Sequence, residues 1–342
     1  MTRFSRCVFA GIAAMLVAAP GFARADLKEV EAAAKREAQL TWYVASIDAK
    51  NAEKAARLFT EKYGIKVDVV RAPSQIMYQR LEQDLSQSTG NADVFSSVDV
   101  GNFVTLKKNG SLLAYKPEAV AQIEPAFRDL DPDNFFHATL ASIIIIAYNN
   151  QKVKPEDAPK SWSDLLDAKW KGKIALGHPA YSGFAGNWAA QMSKLYGKTY
   201  FEKLEVLQPQ VGRSLFDAIN LVSSGERLVT ASPIAPILES ADKGNPLTVQ
   251  YPTEGAILVL TPSGIVKNAP HPNAARLFME FMLGAEFNKI LAEAHYETMR
   301  SDVKPLPGAK PLSEIKVIRP TIDDTTAGIP AVAELWRDVF GQ

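Results

Sequence analysis

Four serines stand at predicted loop–helix junctions, where the chain has the chemistry to bind an anion. They are Ser46, Ser74, Ser97 and Ser182, the last followed by Gly183. The first turn of a helix carries unpaired backbone N–H groups and the positive end of the helix dipole, and both favour a bound anion. A serine hydroxyl that caps its helix uses the same geometry. Each serine is therefore either a cap or a ligand contact, with Asp48 as the alternative cap beside Ser46, and four at one sheet edge favour some ligand contacts.

A second set of candidate ligand contacts comes from the middle of the chain. His178 and Tyr181 lie in the loop 177–183, which follows a predicted strand and should face the same edge as the serines. His178 is either a ligand contact or a loop residue that bonds the backbone, and we favour the loop role. Arg213 can hold a carboxylate or phosphate through two parallel N–H bonds, or it is simply solvated. Ser232 ends another predicted strand.

Donors for a metal ion are present, but their spacing matches no known metal site. Asp99, His178, Tyr181 and Glu254 would give a mixed oxygen and nitrogen ligand set. The chain has no Gly-x-Ser-x-Gly and no His-Glu-x-x-His, the signatures of two large groups of hydrolases. We therefore predict no catalytic activity, no cofactor and no resident metal.

The elements that would position these residues alternate between strand and helix. We predict helices over 27–37, over 51–63 and from Ser74, and strands over 40–44, 65–70 and 92–95. Gly64 ends the second helix at the position where a left-handed residue is favoured. This alternation predicts an open parallel sheet that is covered on both faces and binds ligands beyond the carboxyl ends of its strands. The apolar stretches 141–149 and 250–260 are predicted to cross between two lobes, since the chain has no flexible linker.

The N-terminus has the three-part layout of a secretory signal. Arg3 and Arg6 precede an apolar run over 8–19, and small residues lead to a cleavage site after Ala25. An uncleaved anchor is the alternative, but the run is too short to span a bilayer as a stable helix. We expect a mature chain that begins at Asp26 and lies in the periplasm of a bacterium with two membranes.

The cysteine count and the charge exclude several classes of protein. Cys7 is the only cysteine and lies in the predicted signal, so the mature chain has no disulfide, thiolate metal site or cysteine nucleophile. Lys and Arg number 38, and so do Asp and Glu. Loss of the signal's arginines leaves a formal charge of about −3, too small to indicate a nucleic-acid or membrane-surface partner. We also predict no membrane insertion.

Three ordered stretches resemble a known family. The first comprises 148–150, 159–166 and 169–174, the second is Ser-Gly-Glu at 224–226, and the third comprises 264–275, 278–283, His295-Tyr296 and Arg300. Together they resemble the periplasmic solute-binding proteins of ABC importers, in the group that binds ferric iron, thiamine, polyamines and sugar phosphates. The resemblance covers about 40–305, and the order of the stretches is more specific than any one of them.

The resemblance implies an α/β, two-lobed periplasmic binding protein fold with two open sheets joined by hinge-crossing strands. It places lobe 1 at 26–142 with 251–300 and lobe 2 at 143–250, after a signal at 1–25. The segment 301–342 would pack its helix on lobe 2. The implied partners are a small-molecule ligand and the transmembrane subunits of an ABC permease, and the implied state is a monomer.

One departure from the family bears on the ligand. The ferric-binding members carry two adjacent tyrosines after the Gly-Glu strand, whereas this chain has Ser232 and Pro233 there and no adjacent tyrosines anywhere. We therefore expect an organic or phosphorylated anion. The alternatives are ferric iron or a ferric chelate, a periplasmic adaptor role and, more distantly, a secreted enzyme.

Overall fold

The computed structural model describes residues 27–87, 89–307 and 309–341. The predicted signal segment lies outside these ranges. The strands are β1 Gln39–Val44, β2 Lys66–Arg71, β3 Val94–Ser96, β4 Leu112–Leu113, β5 His137–Asn149, β6 Ile174–Gly177, β7 Gln210–Gly212, β8 Val229–Pro233, β9 Leu247–Gln250, β10 Ala256–Val266 and β11 Val317–Ile318. The helices are α1 Leu27–Glu37, α2 Ala49–Tyr63, α3 Ser74–Gln87, α4 Val100–Lys108, α5 Gly183–Tyr196, α6 Lys198–Val206, α7 Leu215–Ser223, α8 Ile234–Asp242, α9 Pro272–Leu283, α10 Ala285–Glu293, α11 Ile322–Thr326 and α12 Gly328–Phe340.

The strands form one curled sheet with two parallel halves. Its order is β2-β1-β3-β10-β5-β8-β6-β7, while β4 and β11 pair with β10 and β9 pairs with β5. β1 is parallel to β2 and β3, and β6 is parallel to β7 and β8. The long strands β5 and β10 are antiparallel to each other and join the halves. We call the half with β1–β3 lobe 1 and the half with β6–β8 lobe 2.

The predicted elements agree closely with the structure, except for one crossing strand. Helix α1 has its predicted bounds, and β1 and β2 match their predictions within one residue. The stretch 250–260 is not a single strand, because Gln250 ends β9 and β10 begins at Ala256. Pro252 lacks a backbone N–H, and Gly255 has a φ of 125°, so the chain turns between the two strands. The predicted lobe boundary at 142/143 falls inside β5.

Each lobe has its own aromatic core. In lobe 1, Trp42 contacts the ring of Phe278 edge-on, with the ring centroids 5.1 Å apart, and the apolar face of α9 is buried. In lobe 2, Trp162, Trp188 and Trp336 are all fully buried. No helix among the described residues is both long enough and apolar enough to cross a bilayer.

Gly64 ends α2 in the left-handed conformation, as predicted, with a φ of 71°. Its N–H donates to the carbonyl of Thr60 at 2.8 Å, and a Cβ there would meet no atom within 4 Å. Gly64→Ala should therefore lower the free energy of unfolding by backbone strain alone, about 1 kcal/mol. Urea denaturation measures the loss, with Glu61→Ala on the exposed face of α2 as control. Equal stability of the two variants would contradict the assigned helix end.

Candidate functional site

The carboxyl ends of the parallel strands in lobe 1 form one edge. Val44 of β1 is in register with Arg71 of β2 and with Ser96 of β3. The loops that leave this line carry the predicted site residues Ser46, Ser74, Ser97 and Asp99. Adjacent parallel strands that end in register bring their following loops together, so the structure places these four residues at one edge.

A matching edge lies in lobe 2. β6 and β7 end in register at Gly177 and Gly212, so His178 and Arg213 leave the sheet side by side. Ser232 lies near the end of the neighbouring strand β8. The loop from His178 continues through Tyr181 and Ser182 into α5.

The N-terminus of α5 brings lobe 2 into contact with lobe 1. A Cβ on Gly183 would lie 2.9 Å from the Cβ of Val98 and 3.0 Å from the hydroxyl oxygen of Ser74. The backbone N–H of Gln75 also donates to the carbonyl of Tyr181 at 3.5 Å. The lobes therefore meet here at a distance that only glycine permits.

The lobes also meet around a cavity between α2 and α8. Lys50 of lobe 1 forms an ion pair with Glu239 of lobe 2 at 3.0 Å, and His295 Nε2 lies 2.7 Å from the carboxylate of Asp242. The cavity has a volume of about 430 Å³, and its lining includes Asp48 and Lys50 from lobe 1 and Phe216 and Glu239 from lobe 2. Such a volume suits a small solute.

Aspartates cap two of the edge helices: Asp48, the predicted alternative to Ser46, and Asp99, in place of Ser97. Asp48 accepts a hydrogen bond from Asn51 N at the start of α2, and Asp99 accepts one from Gly101 N at the start of α4. Each aspartate follows the candidate serine by two residues and so reaches the first turn. Ser74 does not cap α3 either, because it is the first helical residue. Anion binding at the ends of α2 and α4 would therefore face a carboxylate.

The four serines and Ser232 consequently differ in what their hydroxyls do. The side chains of Ser46 and Ser74 make no hydrogen bond within the part of the chain that the structure describes. Ser182 caps α5, accepting from Ala185 N at 3.4 Å. Ser97 and Ser232 are fully buried. Ser97 accepts from the backbone N–H of Asp99, and Ser232 donates to the carbonyl of Pro233, its neighbour in β8.

Asp99 and His178 are both bonded within their own lobes. Burial raises the pKa of the Asp99 carboxyl above its usual range, against the opposing effect of hydrogen bonds from Gln75 and Gly101. His178 Nδ1 accepts from the backbone N–H of Ala180 at 3.1 Å, which supports the loop role. Its ring also lies 4.8 Å from that of Tyr181, which is 45% exposed.

One arginine stands at each edge without an ion pair. Arg213, predicted from the sequence, is exposed and has no carboxylate partner among the described residues. Arg71 has none in those ranges either, and its Nε donates to the carbonyl of Ile47 at 2.8 Å. Tyr296 lies in the cavity wall, and burial raises the pKa of its phenol. The positive charge of Arg71 partly opposes that rise. Sequence reasoning did not include Arg71, although the predicted strand over 65–70 places it directly at the sheet edge.

The mixed metal-ligand set from the sequence is not assembled. Glu254 accepts hydrogen bonds from Trp162 N and Tyr196 Oη, inside lobe 2, and takes no part in the edge. In the described ranges, no group of three His, Cys, Asp or Glu is placed to hold a metal ion.

Residues 38–289 match the family of bacterial extracellular solute-binding proteins. The chain belongs to this family. A putative 2-aminoethylphosphonate-binding periplasmic protein of Salmonella typhimurium is 24% identical over 343 residues, which cover 95% of each chain. The iron uptake protein A1 of Synechocystis is 25% identical over 257 residues, covering 70% of this chain and 69% of the relative.

Solved structures give the same fold. The periplasmic binding protein AfuA of Actinobacillus pleuropneumoniae, with fructose-6-phosphate bound, superposes with a TM-score of 0.81 at 25% identity, covering 89% of this chain and 98% of its own. Iron-bound HitA of Pseudomonas aeruginosa superposes with a TM-score of 0.76 at 24% identity, over 88% and 99%. The predicted family, the two-lobed fold and the role of substrate-binding component of an ABC importer are therefore confirmed.

Proposed function

We propose that this solute-binding protein captures a small organic or phosphorylated anion between the two lobe edges. The observation that carries the proposal is the pair Arg71 and Arg213, one arginine from each edge and neither in an ion pair with a described residue. A guanidinium binds a phosphate, phosphonate or carboxylate through two parallel, charge-assisted hydrogen bonds. A ligand held from both lobes stabilises their closed arrangement, because only that arrangement offers both arginines.

Uncharged donors at the two lobe edges support the same ligand class. The hydroxyls of Ser46 and Ser74 have no partner among the described residues, and α5 begins with a serine cap and no carboxylate. The cavity also has carboxylates, Asp48 and Glu239, and the second of these is paired with Lys50. This mixture of charges suits an anion that also carries hydroxyl or amino groups.

The relatives are named for two classes of ligand, phosphorylated anions and iron, and the residues of this chain favour the anions. Phosphonate and sugar-phosphate binding are named for two proteins that resemble this chain, and iron binding for two others. Arginines and serine hydroxyls are phosphate ligands, whereas ferric iron prefers hard anionic oxygen donors. The absence of adjacent tyrosines agrees with this choice.

In this proposal the protein acts in the periplasm, as a monomer, after removal of the signal. It delivers its ligand to the permease and performs no catalysis. A relative in sequence and a solved structure with the same fold are both named as periplasmic proteins, which supports this location. Delivery follows from closure, since the permease must distinguish a loaded protein from an empty one.

A thermal-shift screen tests the ligand class. Sugar phosphates, phosphonates, carboxylates, thiamine, polyamines and ferric citrate are added in turn to the purified mature protein. A phosphorylated or organic anion should raise the melting temperature, because a ligand at 100 times its dissociation constant stabilises the folded state by about 2.7 kcal/mol. A stoichiometric ferric complex with a phenolate absorption band, and no shift with any anion, would overturn the proposal.

A further inference from the structure

The C-terminal segment contacts both lobes. After β11 has paired with β10, the chain enters α11, a single turn that lies between α4 of lobe 1 and α5 of lobe 2. It then continues into α12, which packs against α5 and α6. The segment therefore spans both lobes at a place separate from the crossing strands β5 and β10.

The contacts of α11 with lobe 2 include an ion pair and a side-chain hydrogen bond. Asp324 accepts two hydrogen bonds from Lys194 Nζ of α5, at 2.7 and 2.8 Å, and this bond holds the pKa of its carboxyl below the usual range. Thr325 donates to Asn187 of α5 at 3.4 Å. Since α12 follows directly and buries Trp336 in the core of lobe 2, α11 is anchored to lobe 2.

The contacts of α11 with lobe 1 are apolar and form no hydrogen bond among the described residues. Ile322 packs, half-buried, against the cluster that contains Phe95 and Phe103. Thr326 approaches α4 so closely that a Cβ on Gly101 would lie 3.3 Å from its Cα. The Thr326 hydroxyl is buried there without a hydrogen-bond partner.

We propose that α11 is a latch that moves with lobe 2 and closes on α4 of lobe 1. Because α11 continues directly into α12, whose Trp336 is buried in the core of lobe 2, separation of the lobes breaks the contact with α4 and keeps the contact with α5. The burial of Ile322 then stabilises the closed state and is absent from the open state. It therefore sets the fraction of protein that is closed before the ligand binds. This inference rests on the proposed function only in that the lobes close on a ligand.

Electron–electron distance measurements on the ligand-free protein test the latch without knowledge of the ligand. Spin labels are attached at Lys66→Cys in lobe 1 and Glu202→Cys in lobe 2, both exposed positions in a mature chain predicted to have no cysteine. Ile322→Ala should lower the population with short interlobe distances about tenfold. Val339→Ala is the matched control, because Val339 packs on the core of lobe 2 alone and should leave the distances unchanged.

A cross-link supplies the second measurement. In Gly101→Cys/Thr326→Cys, the two residues face each other across the contact of α4 with α11, so a disulfide formed on oxidation should hold α11 on α4. A Cβ on Gly101 would itself lie 3.0 Å from the Asp99 carboxylate and 3.3 Å from Thr326 Cα, so the oxidised protein is compared with the same protein after reduction and not with the wild type. The oxidised protein should have a smaller radius of gyration in X-ray scattering than the reduced one. The latch is refuted by equal radii in the cross-linked and reduced protein, or by identical distances in Ile322→Ala and Val339→Ala. None of these results would bear on which ligand is bound.

Discussion

Gly183→Ala should lower the affinity for the ligand about 10- to 100-fold while leaving both lobes intact. The added Cβ would lie 2.9 Å from the Cβ of Val98, 3.0 Å from the Ser74 hydroxyl and 3.2 Å from the backbone N of Asp99. Two of these atoms cannot rotate away, so the lobes must separate slightly, and overpacking of this kind costs about 1–3 kcal/mol. Because every clash is across the lobes, the cost applies to the closed state only.

Isothermal titration with the anion found by the screen measures this loss. Gly328→Ala is the control. Its Cβ would lie 3.1 Å from the Cβ of Ala190 on α5, the helix that Gly183 begins, and no lobe 1 atom would lie within 4 Å. It should lower the melting temperature slightly and leave affinity unchanged. Wild-type affinity in Gly183→Ala would mean that ligand binding does not bring α5 onto lobe 1.

Arg71→Ala and Arg213→Ala should each weaken anion binding about 10- to 100-fold. Each variant removes a charge-assisted pair of hydrogen bonds, which contributes about 1.5–3 kcal/mol when the partner is charged. Lysine at either position should restore part of the affinity, because it keeps the charge and loses the two-pronged geometry. Both single variants should also show a weaker dependence of affinity on salt concentration.

The control for these variants is Arg57→Ala. Arg57 lies on the exposed face of α2, 3.9 Å from Glu53, and belongs to neither edge. A double-mutant cycle of Arg71 and Arg213 then tests whether both hold the same anion, since residues that share a partner give non-additive losses. Unchanged affinity in both single variants would remove the arginines from the site.

Much of the fold was predictable from the sequence, because its signals are local. The spacing of apolar residues in α1 and the glycine at the end of α2 each act within one or two turns. The strand–helix alternation indicated a sheet whose loops gather at one edge, and the structure has two such edges. The crossing strand β10 was misplaced at its start, since its first residues are separated from β9 by the turn at Gly255.

The candidate site was less predictable, and the errors share a cause. Ser97 stands two residues before the true cap, Asp99, and sequence spacing alone does not separate the two choices. Arg71 was missed because the chain has many arginines and lysines, and only the tertiary structure shows that this one has no carboxylate partner among the described residues. Glu254 was included for its chemistry, but its partners come from residues far away in the sequence.

The sequence by itself determined an open α/β sheet with polar loops at the strand ends, because helix, strand and turn preferences depend on near neighbours. Its ordered stretches that resemble the family implied the two-lobed solute-binding fold. Only the tertiary structure decided which polar groups remain available. Asp48 and Asp99 accept hydrogen bonds at helix N-termini, whereas Arg71 and Arg213 have no carboxylate partner in the described ranges. That division depends on distances between residues that are remote in the chain, which no local pattern records.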